Sequence, residues 1–145
     1  MQITRQTDYA IRCILHLSES PGEIIMADEI AKTRGIPKSF LSKILQRLVR
    51  ARIVRSFRGA KGGFRLAKQP EKISLLEVIE AMEGSLVMNR CALNKGKVRC
   101  GDQCDLHPAW AALRRELEYL LRGYSVAHLG AARGHSPFLG IKRTD

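Results

Sequence analysis

Four soft-donor side chains fall on one short stretch of this 145-residue chain: Cys91, Cys100, Cys104 and His107. Only four cysteines are present, and three of them lie inside this seventeen-residue window. Eight residues separate the first two thiols, three separate the next two, and two more lead to the imidazole. Thiolates suit zinc, copper(I) or an iron–sulfur cluster, and imidazole can take a fourth position. Arg90, Lys95, Lys97 and Arg99 add positive charge, which stabilises thiolates or an anionic cluster. Asn94, Gly96 and Gly101 give the segment the freedom to wrap around a bound group. On the residues alone several readings stay open: an iron–sulfur cluster, a structural zinc site, a metal-free thiol switch, or inert thiols. The remaining thiol, Cys13, falls on the apolar face of a helical pattern and is read as core.

The elements that must position such a site are legible in charge and periodicity. Formal net charge is +11, from 25 Lys and Arg against 14 Asp and Glu. That balance favours a polyanionic partner, nucleic acid before an anionic membrane surface. Residues 34–70 hold eleven basic side chains and no acid. Solvated surfaces ordinarily mix the two signs, so this run reads as a footprint for phosphates. A hydrophobic content of 45% with only 6% aromatics points to an aliphatic, mainly helical core. No stretch approaches the roughly 18 apolar residues of a membrane helix. The polar start from Met1 to Asp8 is unlike a signal peptide. The expectation is a cytoplasmic protein, where clustered thiols serve as ligands or sensors more often than as disulfides.

Tyr9, Ala10, Ile11, Ile14, Leu15 and Leu17 predict a first helix over residues 4–19, ended by the Pro21-Gly22 turn. Met26, Ile30 and Ala31 share one face of a short second helix closed by Gly35. Pro37 suits the first turn of a third helix, continued from Ser39 to Arg50. This is a helix-turn-helix pattern. Ile53, Val54, Ser56 and Phe57 then read as a strand, broken by residues 58–63 and resumed by Phe64, Arg65 and Leu66. The product is a β-hairpin wing with a basic, glycine-rich tip. Ser74 with Glu77 forms a capping box for a fourth helix, ended by Gly84. Residues 87–106 show no sustained period and read as a loop. Pro108 opens the longest helix, over residues 109–122, whose second apolar face invites a dimer coiled against its twin. The fold class expected is therefore mainly α with a small β-hairpin wing: a winged helix-turn-helix domain plus a long C-terminal dimerisation helix. Its divisions are residues 1–84 for DNA binding, 85–107 for the cysteine-rich loop, 108–129 for the dimerisation helix and following segment, and 130–145 for a tail.

A recognition helix presents its early residues to base edges, which nominates Lys38, Ser39, Phe40, Ser42 and Lys43. Phe40 is weighed between core and base contact, with core preferred. Arg47 and Arg50, further along, are read as phosphate contacts, which fix position and not sequence. At the wing tip Arg58 and Lys61 suit the minor groove. Gly59, Gly62 and Gly63 are read as letting the backbone bend and approach the duplex closely. No acid–base pair or nucleotide-binding fingerprint appears, so neither an enzyme nor a small-molecule substrate is expected.

Three segments together resemble a family of bacterial winged-helix regulators that includes the iron–sulfur cluster regulator IscR, nitric-oxide-sensing NsrR, iron-responsive RirA and CymR of cysteine metabolism. They are Ile3-Thr4 with Thr7-Asp8-Tyr9-Ala10, the wing from Arg58 to Leu66, and the run from Ile73 to Gly84. Tyr124 to Leu129 also looks like the family's post-helix motif. The resemblance implies a homodimer crossed over its long helices on double-stranded DNA with a palindromic operator. It also implies a 4Fe–4S or 2Fe–2S cluster on Cys91, Cys100 and Cys104. The fourth ligand would be Asp8 of the partner subunit, as in the NsrR-like choice, or His107, as in the IscR-like one. Asp8 would favour the larger cluster and His107 the smaller. The thiol spacing is less even than is usual in the family.

Overall fold

The computed structural model describes residues 3–87 and 105–132. Cys91, Cys100 and Cys104 lie outside the described residues, as do most of the loop expected over 87–106 and nearly all of the expected tail. Helix α1 spans Arg5–Glu19, with Thr4 as its N-cap accepting from the Thr7 N–H. Its apolar stripe of Ala10, Cys13, Ile14 and Leu17 is fully buried. Cys13 is thus core, and burial pushes its thiol up to about 12, against the opposing pull of Arg34.

Helices α2 (Ala27–Arg34) and α3 (Lys38–Arg50) form the helix-turn-helix, joined through Gly35 in the left-handed conformation. Two readings shift by one position. Pro37 is the N-cap of α3 and not part of its first turn; its carbonyl accepts from Phe40 and Leu41 at 3.0 Å each. Met26 likewise caps α2 from outside and is exposed, because the chain enters α2 from an extended segment. Leu41, Ile44, Leu45 and Leu48 point α3 into the core.

The wing pairs β1 (Val54–Phe57) with β2 (Gly63–Leu66), antiparallel, in the register Val54 to Leu66 and Phe57 to Gly63. Its base is anchored by buried Ile53, Val54 and Leu66. Ile25 adds a third extended partner, exchanging both backbone hydrogen bonds with Phe64 at 2.8 and 2.9 Å. After a short 3-10 turn at Pro70–Lys72, helix α4 (Leu75–Glu83) starts from Ser74, and both arms of the capping box with Glu77 are formed.

Helix α5 (His107–Gly123) is the longest, opened by Pro108 in its first turn, and none of its residues is fully buried. Leu117 and Leu121 pack against Leu75, Leu76, Ile79 and Leu86, forming a second, smaller apolar cluster. The chain then returns to the main core. Ser125 bridges to Ser74, the Leu75 N–H donates to the Tyr124 carbonyl, and buried Val126 opens the short helix α6 (Val126–Ala131). Among the described residues no helix is long and apolar enough to cross a membrane.

Candidate nucleic-acid interface

With Leu41, Ile44, Leu45 and Leu48 turned inward, helical spacing leaves Ser39, Lys43, Gln46 and Arg50 along the opposite, exposed side of α3. Lys38 and Ser42 flank that side toward the wing. A groove of about 540 Å³ runs between α3 and the hairpin, lined by Lys38, Ser42, Gln46 and Arg50, by Asp28 of α2, and by Ser56 and Phe64. Gln46 has no counterpart among the residues nominated from sequence. Its side-chain amide could have been found by the same periodicity that places Lys43 and Arg50 outward.

Phe40 belongs neither to the core nor wholly to solvent. It is 37% exposed, and its ring meets Tyr9 of α1 edge-on, with centroids 5.9 Å apart. The core reading therefore gives way to a surface aromatic pair, because Phe40 precedes Leu41, the first of the buried stripe, by one residue and so points about 100° away from it.

Arg47, read from sequence as a phosphate contact, also has a partner inside the protein. Its Nη1 donates 2.7 Å to the carbonyl of Met82, at the C-terminus of α4. Terminal carbonyls of a helix lack intrahelical partners, and a cation is favourable there. Arg47 thus ties the recognition helix to α4. Beside it, the Glu83 carboxylate accepts from the Thr4 N–H at 3.1 Å, from Thr4 Oγ1 at 2.6 Å and from Thr7 Oγ1. Burial of the Glu83 carboxyl opposes its ionisation. The hydrogen bonds from Thr4 and Thr7, aided by the Arg47 charge, outweigh that and hold it below its ordinary 4.5. The start of α1, the last turn of α3 and the end of α4 therefore meet at one polar junction. Glu83 stands eight residues before Cys91.

On the wing, Arg58, Gly59, Ala60 and Lys61 are all exposed. Gly59 takes φ +105° and faces open space, so its turn conformation is what favours glycine. Gly62 and Gly63 also answer a constraint within the protein itself. A Cβ on Gly62 would sit 2.4 Å from the Phe57 carbonyl oxygen, and one on Gly63 would sit 2.5 Å from the Ile25 carbonyl oxygen. Both crowd the protein's own backbone. Arg65 stacks its guanidinium 4.8 Å over the Phe57 ring, which stiffens the outer face of the hairpin.

Of the residues nominated to hold a metal group, Asp8 and His107 are described. Asp8 is half-buried on the first turn of α1 and pairs with Arg12 at 2.9 Å. His107 is exposed at the first position of α5, immediately after the cysteine segment. Among the described residues alone, no group of three metal-ligating side chains assembles. The donor set of the whole chain, three thiols with an accessible imidazole or carboxylate at hand, fits the chemistry of an iron–sulfur cluster.

Leu106, the N-cap of α5, and Leu113 and Leu120 within it recur at seven-residue intervals, 63%, 51% and 54% exposed, on a stripe that adjoins the Leu117 and Leu121 contacts. Single exposed leucines are ordinary; three in register along a helix are an unpartnered stripe.

Residues 3–132 match the Rrf2 family, described as iron-dependent transcriptional regulators. Protein aau3 of Rhizobium meliloti is 36% identical over 144 residues, covering 96% of this chain and 91% of that protein. The HTH-type transcriptional regulator IscR of Klebsiella pneumoniae is 33% identical over 131 residues, covering 89% and 79% respectively. Among solved structures the fold is similar to CymR, the global cysteine regulator of B. subtilis. That likeness has a TM-score of 0.73 at 22% identity and covers 90% of this chain and 97% of that one.

Proposed function

Because the chain belongs to the Rrf2 family of transcriptional regulators, DNA-binding proteins and not enzymes, we propose that its grip on DNA is set by an iron–sulfur cluster. Cys91, Cys100 and Cys104 would hold that cluster, with Asp8 of a second copy or His107 as fourth ligand. The family's description as iron-dependent supports iron over zinc. The observation that carries the proposal is the polar junction. It links the end of α4, from which the cysteine segment departs, to the start of α1 and to the recognition helix. When bound, the cluster supplies a group whose presence depends on iron supply and whose integrity depends on oxygen and nitric oxide.

The chain's own residues do the rest. The cysteine segment leaves from α4, whose Met82 carbonyl is held by Arg47 and whose Glu83 carboxylate is held by Thr4 and Thr7. It arrives at α5, which is packed on α4 through Leu117 and Leu121. Ordering that segment therefore bears on α4 from both ends, and Arg47 carries any tilt of α4 to α3. The Leu106, Leu113 and Leu120 stripe would pair two copies, placing two recognition helices on the half-sites of a palindromic operator. Successive half-sites lie about 34 Å apart per helical turn, so a small change in the angle between copies alters the fit. Regulation requires the ordered segment to favour one of the two arrangements energetically.

Anaerobic purification tests this reading directly. The expected result is a brown protein with iron and acid-labile sulfide in stoichiometric amounts, and duplex affinity that changes when the iron is stripped. Serine at Cys91, Cys100 or Cys104 is expected to abolish colour and regulation together. Colourless protein whose DNA affinity follows thiol oxidation would transfer the function to a metal-free switch. Tightly bound zinc without a regulatory effect would make the site structural.

A further inference from the structure

One acidic side chain enters the groove between α3 and the wing, whose lining sets Lys38 and Arg50 among apolar Leu41, Leu45, Val49 and Phe64. Asp28, in the first turn of α2, lines it with Lys38, Ser42, Gln46 and Arg50. Its Oδ1 lies 2.9 Å from Lys38 Nζ, and the two side chains are 71% and 74% exposed. The sequence from 34 to 70 has no acid, so the fold brings this one in from outside the basic run. The first turn of α2 suits a carboxylate and an ion pair this exposed adds little, so neither gives a reason for it to face this groove. At a surface facing phosphates a carboxylate is adverse in two ways. It neutralises a lysine that would otherwise take a phosphate, and it repels any phosphate that comes near. Against DNA it is favourable where it meets a donor on a base edge. A carboxylate can accept from the exocyclic amine of cytosine in the major groove.

We propose that Asp28 is a specificity-determining residue of the DNA interface. It holds Lys38 back from phosphates, and so weakens binding to arbitrary sequence. It reserves its acceptor for a cytosine amine at the matching operator position. This rests on the duplex lying against α3 and the wing, and it assigns Asp28 a role opposite to that of its basic neighbours.

The test uses the full-length protein, purified anaerobically, and a duplex obtained by selection from randomised DNA. Affinity for the selected duplex and for a scrambled duplex of equal length is measured over a range of KCl. Asp28→Ala is expected to bind the scrambled duplex about fivefold more tightly near 0.15 M salt. Its salt slope there should steepen by about 0.9, the increment for one additional phosphate contact. The selected duplex should gain less or lose affinity, so the ratio between the two falls. In a Lys38→Gln background, Asp28→Ala should leave the slope unchanged. Both residues are exposed, so neither substitution removes core packing, and melting temperature checks that. An unchanged ratio and slope in Asp28→Ala, or a steeper slope that persists without Lys38, would overturn the inference and leave the interface standing. Wild-type protein with no salt-dependent affinity for any duplex would overturn both.

Discussion

Replacing Gly63 by alanine separates two accounts of why the wing is rich in glycine. If Gly63 exists to let DNA approach, the change leaves the free protein intact. The structure argues otherwise. The added Cβ would stand 2.5 Å from the Ile25 carbonyl oxygen and 2.8 Å from its carbon, both backbone atoms that cannot rotate away. Relief requires the Ile25 segment and β2 to part. That strains or breaks the two hydrogen bonds Ile25 exchanges with Phe64 at 2.8 and 2.9 Å. Two such bonds are worth about 1 kcal/mol each, and overpacking adds about 1–3 kcal/mol, so the expected loss is roughly 3–5 kcal/mol. Gly59→Ala is the control. It faces open space, and its positive φ costs only about 1–2 kcal/mol of backbone strain. Urea unfolding gives the stability difference, and amide hydrogen exchange locates it. Protection at Ile25 and Phe64 should fall in Gly63→Ala and persist in Gly59→Ala. A Gly63→Ala protein that unfolds with wild type, protects both amides and yet binds its duplex tenfold more weakly would refute the steric argument.

Arg47→Met should lower stability by about 1–2 kcal/mol in urea unfolding, because it withdraws the donor from the Met82 carbonyl. Unchanged stability with a shallower salt slope on DNA would return Arg47 to phosphate binding. Glu83 and Glu77 are both held below their ordinary 4.5, in each case by hydrogen bonds that outweigh burial. Depressed carboxyls stabilise the fold above that value, and their contribution is lost as pH falls through their lower folded values. Urea midpoints should therefore decline below about pH 4.5, and less steeply in Glu83→Gln; parallel declines would show that Glu83 contributes nothing. Leu113→Glu with Leu120→Glu should yield a monomer by sedimentation with little change in the melting of the winged-helix core. A dimer that survives both would place the contact elsewhere.

Much of this protein is written in local spacing. The Thr4, Ser74 and Glu77 caps, the Gly35 turn, the apolar stripe of α3 and the alternation of the wing each depend on residues a few positions apart. Such residues meet in a helix or hairpin whatever surrounds them, so periodicity and charge were enough for the winged-helix architecture and its cationic face. The segment Tyr124 to Val126 shows where that legibility stops. Its hydrogen-bonding partners are Ile73, Ser74 and Leu75, a relation that no period encodes. The same holds for Glu83 reaching back to Thr4 and Thr7, for Arg47 reaching forward to Met82, and for Ile25 against Gly63. Each of these residues has a plausible solvent-facing use when viewed alone. Arg47 is another cation in a basic run, and Gly63 another glycine in a loop. Which partner claims a long polar side chain, or which backbone presses on a glycine, is decided by how distant elements pack. Tertiary packing thus gave Arg47 a partner in α4, tying α3 to α4, and set one acid, Asp28, beside Lys38 at the edge of the basic recognition helix.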